Sequence, residues 1–172
     1  GITSIAWEPA GGRLATGSMD ETIKIWDAGT GQTLRTFRGH MQTVTALSWG
    51  PNGTLASGCD DGSVKIWDSA RQQESTVWLG HTARSTCVAW CADGQRLASG
   101  GDDGYVRIWR ADTGELELSL KAHDERHGQA QFGLIGTVAW SPDSMKLATA
   151  STDGTAKVWN VNSGREVFAL AM

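Results

Sequence analysis

Apolar and polar residues alternate along this chain in short runs, and the runs are separated by turns rich in Gly, Asp and Asn. The second unit shows the pattern in full. Val44-Thr45-Ala46-Leu47-Ser48-Trp49 alternates and predicts a strand. Gly50-Pro51-Asn52-Gly53 predicts a turn, because Pro fixes one dihedral and Asn-Gly tolerates positive φ. Thr54-Leu55-Ala56-Ser57-Gly58 predicts a second strand, Cys59-Asp60-Asp61-Gly62 another turn, Ser63-Val64-Lys65-Ile66-Trp67 a third strand, and Glu74 to Leu79 a fourth. In the third strand Val64 and Ile66 point one way while Ser63, Lys65 and Trp67 point the other. Both faces carry bulk, as they do at Ile23 and Ile25 against Trp26, Val106 and Ile108 against Trp109, and Val158 against Trp159. A lone four-stranded sheet cannot bury two such faces, whereas stacking against like neighbours can.

The unit recurs. The third-strand tryptophans Trp26, Trp67, Trp109 and Trp159 are spaced by 41, 42 and 50 residues, and the first-strand tryptophans Trp7, Trp49, Trp90 and Trp140 by 42, 41 and 50. A period near 40 with aromatic punctuation predicts a propeller array of four four-stranded antiparallel blades, at residues 1–38, 39–79, 80–121 and 122–172. The fourth unit is irregular: His123 to Trp140 takes 17 steps where His40 to Trp49 and His81 to Trp90 take 9, which predicts a long loop at 124–136. A loop longer than its siblings on a rigid scaffold is a candidate for recognition, with Arg126 and Phe132 as its contact residues.

Gly39-His40, Gly80-His81 and Ala122-His123 precede first strands, Asp61, Asp103 and Asp153 stand six residues before each third-strand Trp, and Trp67-Asp68 closes one unit. In these features, recurring in register over essentially the whole chain, the protein resembles the WD-repeat β-propellers. The closing Trp-Asp pair is kept at Trp26-Asp27 and Trp67-Asp68 and becomes Trp109-Arg110 and Trp159-Asn160. The resemblance implies a buried relay from Trp to Ser or Thr to His to Asp in each blade: Trp67, Ser57, His40 and Asp61; Trp109, Ser99, His81 and Asp103; Trp159, Thr149, His123 and Asp153. Blade 1 carries Trp26, Thr16 and Asp20 without the His, and is expected to be the weakest. The resemblance also implies a partner-binding face, at Met19, Asp60, Asp102 and Thr152 with Thr45, Thr86 and Arg84. Two carboxylates on one rim suggest a basic or Arg-containing peptide.

Composition narrows the function classes. A net charge of −4 does not suit a nucleic-acid partner, and no apolar run reaches the length of a membrane span. Three cysteines make no disulfide framework and suggest a reducing, cytoplasmic setting; Cys87 and Cys91, four apart on or beside a strand, are roughly 13 Å apart and cannot pair. Ser57, His40 and Asp61 have the composition of a hydrolase triad, but the set repeats blade after blade, which a catalytic site has no reason to do. His123-Asp124-Glu125-Arg126-His127 fails as a metalloprotease helix, because its Glu is misplaced and glycines follow. No metal, no cofactor and no catalytic residue is expected. The expected function is a non-catalytic protein-interaction scaffold. The alternatives are a regulatory or sensor segment of a larger signalling propeller and, least favoured, a propeller enzyme. Members of the resembled family typically close rings of seven or eight blades, so four blades predict a fragment of such a ring, or a half-ring completed to eight blades by a homodimer.

Overall fold

A computed structural model describes residues 1–70, 74–123 and 133–171. They form four four-stranded antiparallel sheets, each a simple meander. Blade 1 holds β1 (Ile2–Trp7), β2 (Arg13–Ser18), β3 (Ile23–Asp27) and β4 (Thr33–Phe37). Blade 2 holds β5 (Val44–Trp49), β6 (Thr54–Cys59), β7 (Ser63–Asp68) and β8 (Glu74–Leu79). Blade 3 holds β9 (Ser85–Trp90), β10 (Arg96–Gly101), β11 (Tyr105–Arg110) and β12 (Leu116–Lys121). Blade 4 holds β13 (Ile135–Trp140), β14 (Lys146–Ser151), β15 (Thr155–Asn160) and β16 (Arg165–Ala171).

The turns are set by local chemistry. Gly62, Gly104 and Gly154 adopt φ of 82°, 74° and 80° between second and third strands, and the Asp before each caps the turn by accepting the amide two residues on. At the same position blade 1 has Glu21 at φ 69°, a left-handed conformation held by a residue with a Cβ. The Gly50–Gly53 turn contains a 3-10 turn at Pro51–Gly53.

The core lies between sheets rather than inside any one of them. Ile23, Ile25 and Phe37 of blade 1 pack against Val44, Leu55 and Trp67 of blade 2. Val64, Ile66 and Trp78 of blade 2 meet Val88, Leu97 and Trp109 of blade 3. Val106 and Ile108 of blade 3 meet Ile135, Leu147 and Trp159 of blade 4. The two faces of β7 are therefore consumed by two different neighbours, as the alternation in its sequence requires.

Polar contacts fix the register of the stack. Thr3, Thr45 and Thr86, each second in its first strand, donate to the carbonyls of Val44, Ser85 and Ile135, each first in the next blade's first strand. Trp49 Nε1 donates to the Ala6 carbonyl at 3.0 Å, and Trp140 Nε1 to that of Ala89 at 2.9 Å. The end sheets are open: Trp7 is 60% exposed where Trp49 is 7%, and Ile2 and Ile5 at one end and Val167, Phe168 and Leu170 at the other are exposed.

Candidate functional site

Two kinds of repeated polar site emerge from this frame, one inside the blades and one on their rim. Inside, Ser57 and Ser99 sit on second strands, opposite Lys65 and Arg107 of the third strands, and are fully buried. Trp67 Nε1 donates to Ser57 Oγ at 2.8 Å, and His40 Nε2 lies 2.6 Å from the same oxygen. In blade 3 the corresponding distances, Trp109 to Ser99 and His81 to Ser99, are 3.0 and 2.8 Å. In blade 4, Trp159 to Thr149 and His123 to Thr149, they are 3.1 and 2.7 Å. In blade 1 Trp26 Nε1 donates to Thr16 Oγ1 at 2.8 Å.

The histidine-to-carboxylate link is direct in two blades. His81 Nδ1 is 3.0 Å from Asp103, and His123 Nδ1 is 2.8 Å from Asp153. Burial opposes ionisation of Asp103, but the hydrogen bond and charge of His81, with the Tyr105 and Thr82 amides, outweigh it and hold the carboxyl well below the usual range. Asp153 is lowered in the same way, burial being overcome by hydrogen bonds from Thr155 and His123.

Blade 2 departs from the implied relay. His40 Nδ1 lies 3.3 Å from the Ser63 hydroxyl, while Asp61 accepts from the Ser63 amide at 2.8 Å and from the Cys59 thiol. Cys59 stands where the other blades have Ser18, Gly101 and Ser151, and its thiol donates to the Asp61 carboxylate. Burial raises the Cys59 thiol to about 11, so it keeps its proton. His40, Cys59 and Asp61 bring ligand-type atoms within 4.8 Å of one another. Burial and the Lys65 ammonium push His40 down to about 4, opposed by Asp61, so its ring is neutral near pH 7.

On the rim, a pocket of ≈ 320 Å³ is lined by Thr3, Met19, Thr43, Thr45, Asp60, Arg84 and Thr86, drawn from blades 1 to 3. The fold thus brings together Met19, Thr45, Asp60, Arg84 and Thr86. Asp102 joins them through Arg84, whose Nε lies 3.1 Å from Asp102 Oδ2 and 3.8 Å from Asp60 Oδ1. The two rim carboxylates therefore share a cation of the chain itself. Oδ1 of each is buried and accepts no hydrogen bond among the described residues. Thr152 is not among the residues lining that pocket and gives its amide to the Leu134 carbonyl at 3.1 Å. Arg126 and Phe132 lie outside the described residues.

Several contributors had only a faint signal in the sequence. Thr22, Ser63 and Thr155 stand two residues after the turn Asp and could have been read from that repeat, whereas blade 3 has Tyr105 there and uses Arg107, which donates to Asp103 at 2.9 Å. Thr3 and Thr43 join the rim only because the blades stack.

Stacked meander sheets, each with a tryptophan anchored to a buried hydroxyl and three with a histidine on the same oxygen, define a WD-repeat β-propeller array. Within that class, the chain belongs to the β-propeller family described as "IFT140 first beta-propeller", whose pattern it matches over residues 3–168. It is 53% identical over 49 residues to the "Nuclear distribution protein nudF" of Aspergillus terreus, a stretch covering 28% of this chain and 11% of that protein. It is 44% identical over 48 residues to the "WD repeat-containing protein srw1" of Schizosaccharomyces pombe, a stretch covering 28% of this chain and 9% of that protein. A chain in the crystal structure of the Mitotic Checkpoint Complex superposes with a TM-score of 0.89 at 29% identity, covering 98% of this chain and 50% of that one. The present chain thus spans half the length of that structural neighbour and a small part of its curated relatives.

Proposed function

We propose that the chain is a non-catalytic protein-interaction scaffold whose partner docks on the rim pocket. The observation carrying this reading is the convergence of Met19, Thr45, Asp60, Arg84 and Thr86, from three blades, on one cavity. The mechanism is rigid display: stacked sheets hold the pocket's walls before the partner arrives, so little ordering cost is paid on binding. Asp60 in the pocket wall and Asp102 beside it favour a partner segment rich in N–H donors, a basic peptide above all, with Arg84 lying between the two carboxylates. The relay hydroxyls Ser57 and Ser99 are fully buried and already hydrogen-bonded to indoles, which suits a structural role and not a nucleophilic one. The three cysteines are free thiols, which fits a reducing, cytoplasmic setting.

The exposed apolar sheets at both ends favour association with further like blades, and two copies related by a two-fold axis would complete an eight-bladed ring. Light scattering at twice the 18.4 kDa chain mass would support that assembly, and a protease-resistant monomer would sink it. The docking reading is tested by photo-crosslinking. A crosslinkable residue at Met19 or Thr43 should capture a discrete protein that the same residue at Arg165 on β16 does not; equal capture from both positions contradicts the rim assignment.

A further inference from the structure

The polar cluster of blade 2 differs from those of blades 3 and 4 in the chemistry of its donors as well as in how they connect. His40, Cys59 and Asp61 bring one nitrogen, one sulfur and one oxygen within 4.8 Å of one another. No spacing in the sequence announces this group, because His40 precedes β5 while Cys59 ends β6 and Asp61 lies in the turn to β7. His40 and Cys59 are buried and Asp61 is exposed, so the cluster is closed on one side and open to solvent on the other. Blades 3 and 4 have Gly101 and Ser151 at the Cys59 position and bring no sulfur to it.

Each of the three donors is held by neighbours that suit it to a cation. His40 Nε2 lies 2.6 Å from Ser57 Oγ, and a ring that gives its Nε2–H to that oxygen keeps a lone pair on Nδ1. At His81 and His123 the same nitrogen is taken by the turn Asp, whereas at His40 it lies 3.3 Å from the Ser63 hydroxyl. The Cys59 sulfur is faced by the backbone amides of Asp61 and Gln42, donors that stabilise a thiolate once its proton has gone. Oδ1 of Asp61 accepts the Ser63 amide at 2.8 Å, which fixes the orientation of the carboxylate.

We propose that His40 Nδ1, Cys59 Sγ and a carboxylate oxygen of Asp61 form a zinc site, with the fourth tetrahedral position open to water on the exposed side. Nitrogen, sulfur and oxygen donors together suit a divalent cation of intermediate softness, and the sulfur disfavours calcium and magnesium. Binding exchanges a proton for the metal: the Cys59 S–H bond breaks, the sulfur bonds zinc, and the proton passes to solvent with no change of oxidation state. Ligand atoms on a tetrahedral zinc stand about 3.3–3.8 Å apart, so the most distant pair closes by no more than roughly 1–1.5 Å, an adjustment within reach of the exposed Asp61 side chain. The cation pins the segment ahead of β5 to the β6–β7 turn, whose residue Asp60 lines the rim pocket. Metal binding is read without any partner, so its failure and that of the docking reading are distinguishable.

The test adds Co2+ or Zn2+ alone to the reduced chain after treatment with a chelator. Cobalt should develop a thiolate-to-metal charge-transfer band in the near ultraviolet together with the strong visible bands of a tetrahedral site, and zinc should then bleach both. Competition with a chromophoric chelator should give a zinc dissociation constant of about micromolar or tighter. Cys59→Ser, which installs the residue that blades 1 and 4 carry at this position, should abolish the charge-transfer band and weaken zinc by about a hundredfold or more. Asp61→Asn and His40→Gln should each weaken it by about tenfold or more. A chain with both Cys87→Ser and Cys91→Ser should keep the band and the affinity. Zinc should raise the melting temperature of the wild-type chain and leave that of Cys59→Ser where it was. The proposal is overturned if cobalt gives no charge-transfer band in the wild-type chain, or if the band survives Cys59→Ser. Zinc binding of equal strength in those two chains, the mark of an adventitious ion only, overturns it as well. Should Cys59→Ser not fold, unchanged zinc affinity in both Asp61→Asn and His40→Gln overturns it.

Discussion

Thr149→Val separates hydrogen bonding from packing at the centre of a blade. The substitution keeps the side-chain shape and removes a hydroxyl that is 2% exposed, which leaves the Trp159 indole N–H and His123 Nε2 without their common partner. Each buried polar group so stranded costs about 1–3 kcal/mol, so the variant, stranding two, should lose roughly 2–6 kcal/mol. Thr149→Ser is the comparison: it keeps the hydroxyl and deletes a methyl, which costs about 0.5–1.5 kcal/mol. Relay chemistry therefore predicts that the isosteric change is the worse of the two, while packing alone predicts the reverse. Urea unfolding followed by fluorescence and circular dichroism gives the answer, provided the two probes coincide. With a slope of about 2 kcal/mol per molar, a loss of about 3 kcal/mol moves the midpoint down by roughly 1.5 M. A Thr149→Val midpoint equal to or above that of Thr149→Ser would refute the reasoning.

Three further outcomes follow from the geometry. His40 is held neutral down to about pH 4 when folded and takes its proton near 6.5 when unfolded, so its contribution is present above pH 6.5 and is lost as the pH falls toward 4. That amounts to about 3 kcal/mol between pH 7 and pH 4, measured as unfolding free energy against pH, and His40→Gln should flatten the slope in that window. The lowered carboxyls Asp103 and Asp153 add losses only below their ordinary value of 3.8, so an unchanged slope in His40→Gln would contradict the assignment. Glu21→Gly should stabilise the chain by about 0.5–1 kcal/mol in the same unfolding assay, because relief of left-handed strain exceeds the entropy glycine adds to the unfolded state. Trp49→Ala should cost about 3–5 kcal/mol, whereas Trp7→Ala, at the matching but open position, should stay within about 0.5 kcal/mol in the monomer.

Much of the fold was legible because its signals are local and repeated. Alternation placed the strands of blade 2 to within a residue, and the two-faced bulk of Val64, Ile66 and Trp67 required sheets stacked on both sides. The hydroxyl-to-indole pairing was legible through resemblance, since Ser57, Ser99, Thr149 and Thr16 recur in register with their tryptophans. What escaped was decided by substitutions within the repeat. In blade 2 Asp61 takes the Ser63 amide and the Cys59 thiol while His40 Nδ1 lies against the Ser63 hydroxyl, a departure that no spacing rule predicts. Tyr105 supplies no hydroxyl where Thr22 and Thr155 do, and Arg107 takes its place beside Asp103. Arg84 links Asp60 to Asp102 because two blades meet at that angle, so the rim's charge pattern could not be read from the carboxylates alone.

The scaffold reading stands or falls on the affinity of a purified partner for the rim. Titration calorimetry of the protein crosslinked through Met19 should give a dissociation constant that rises roughly tenfold or more, about 1.4 kcal/mol, in Met19→Glu and in Arg84→Ala. Arg165→Ala on the outer strand β16 should leave it within about twofold. Equal affinities for the wild-type chain and both rim variants would contradict docking at this pocket.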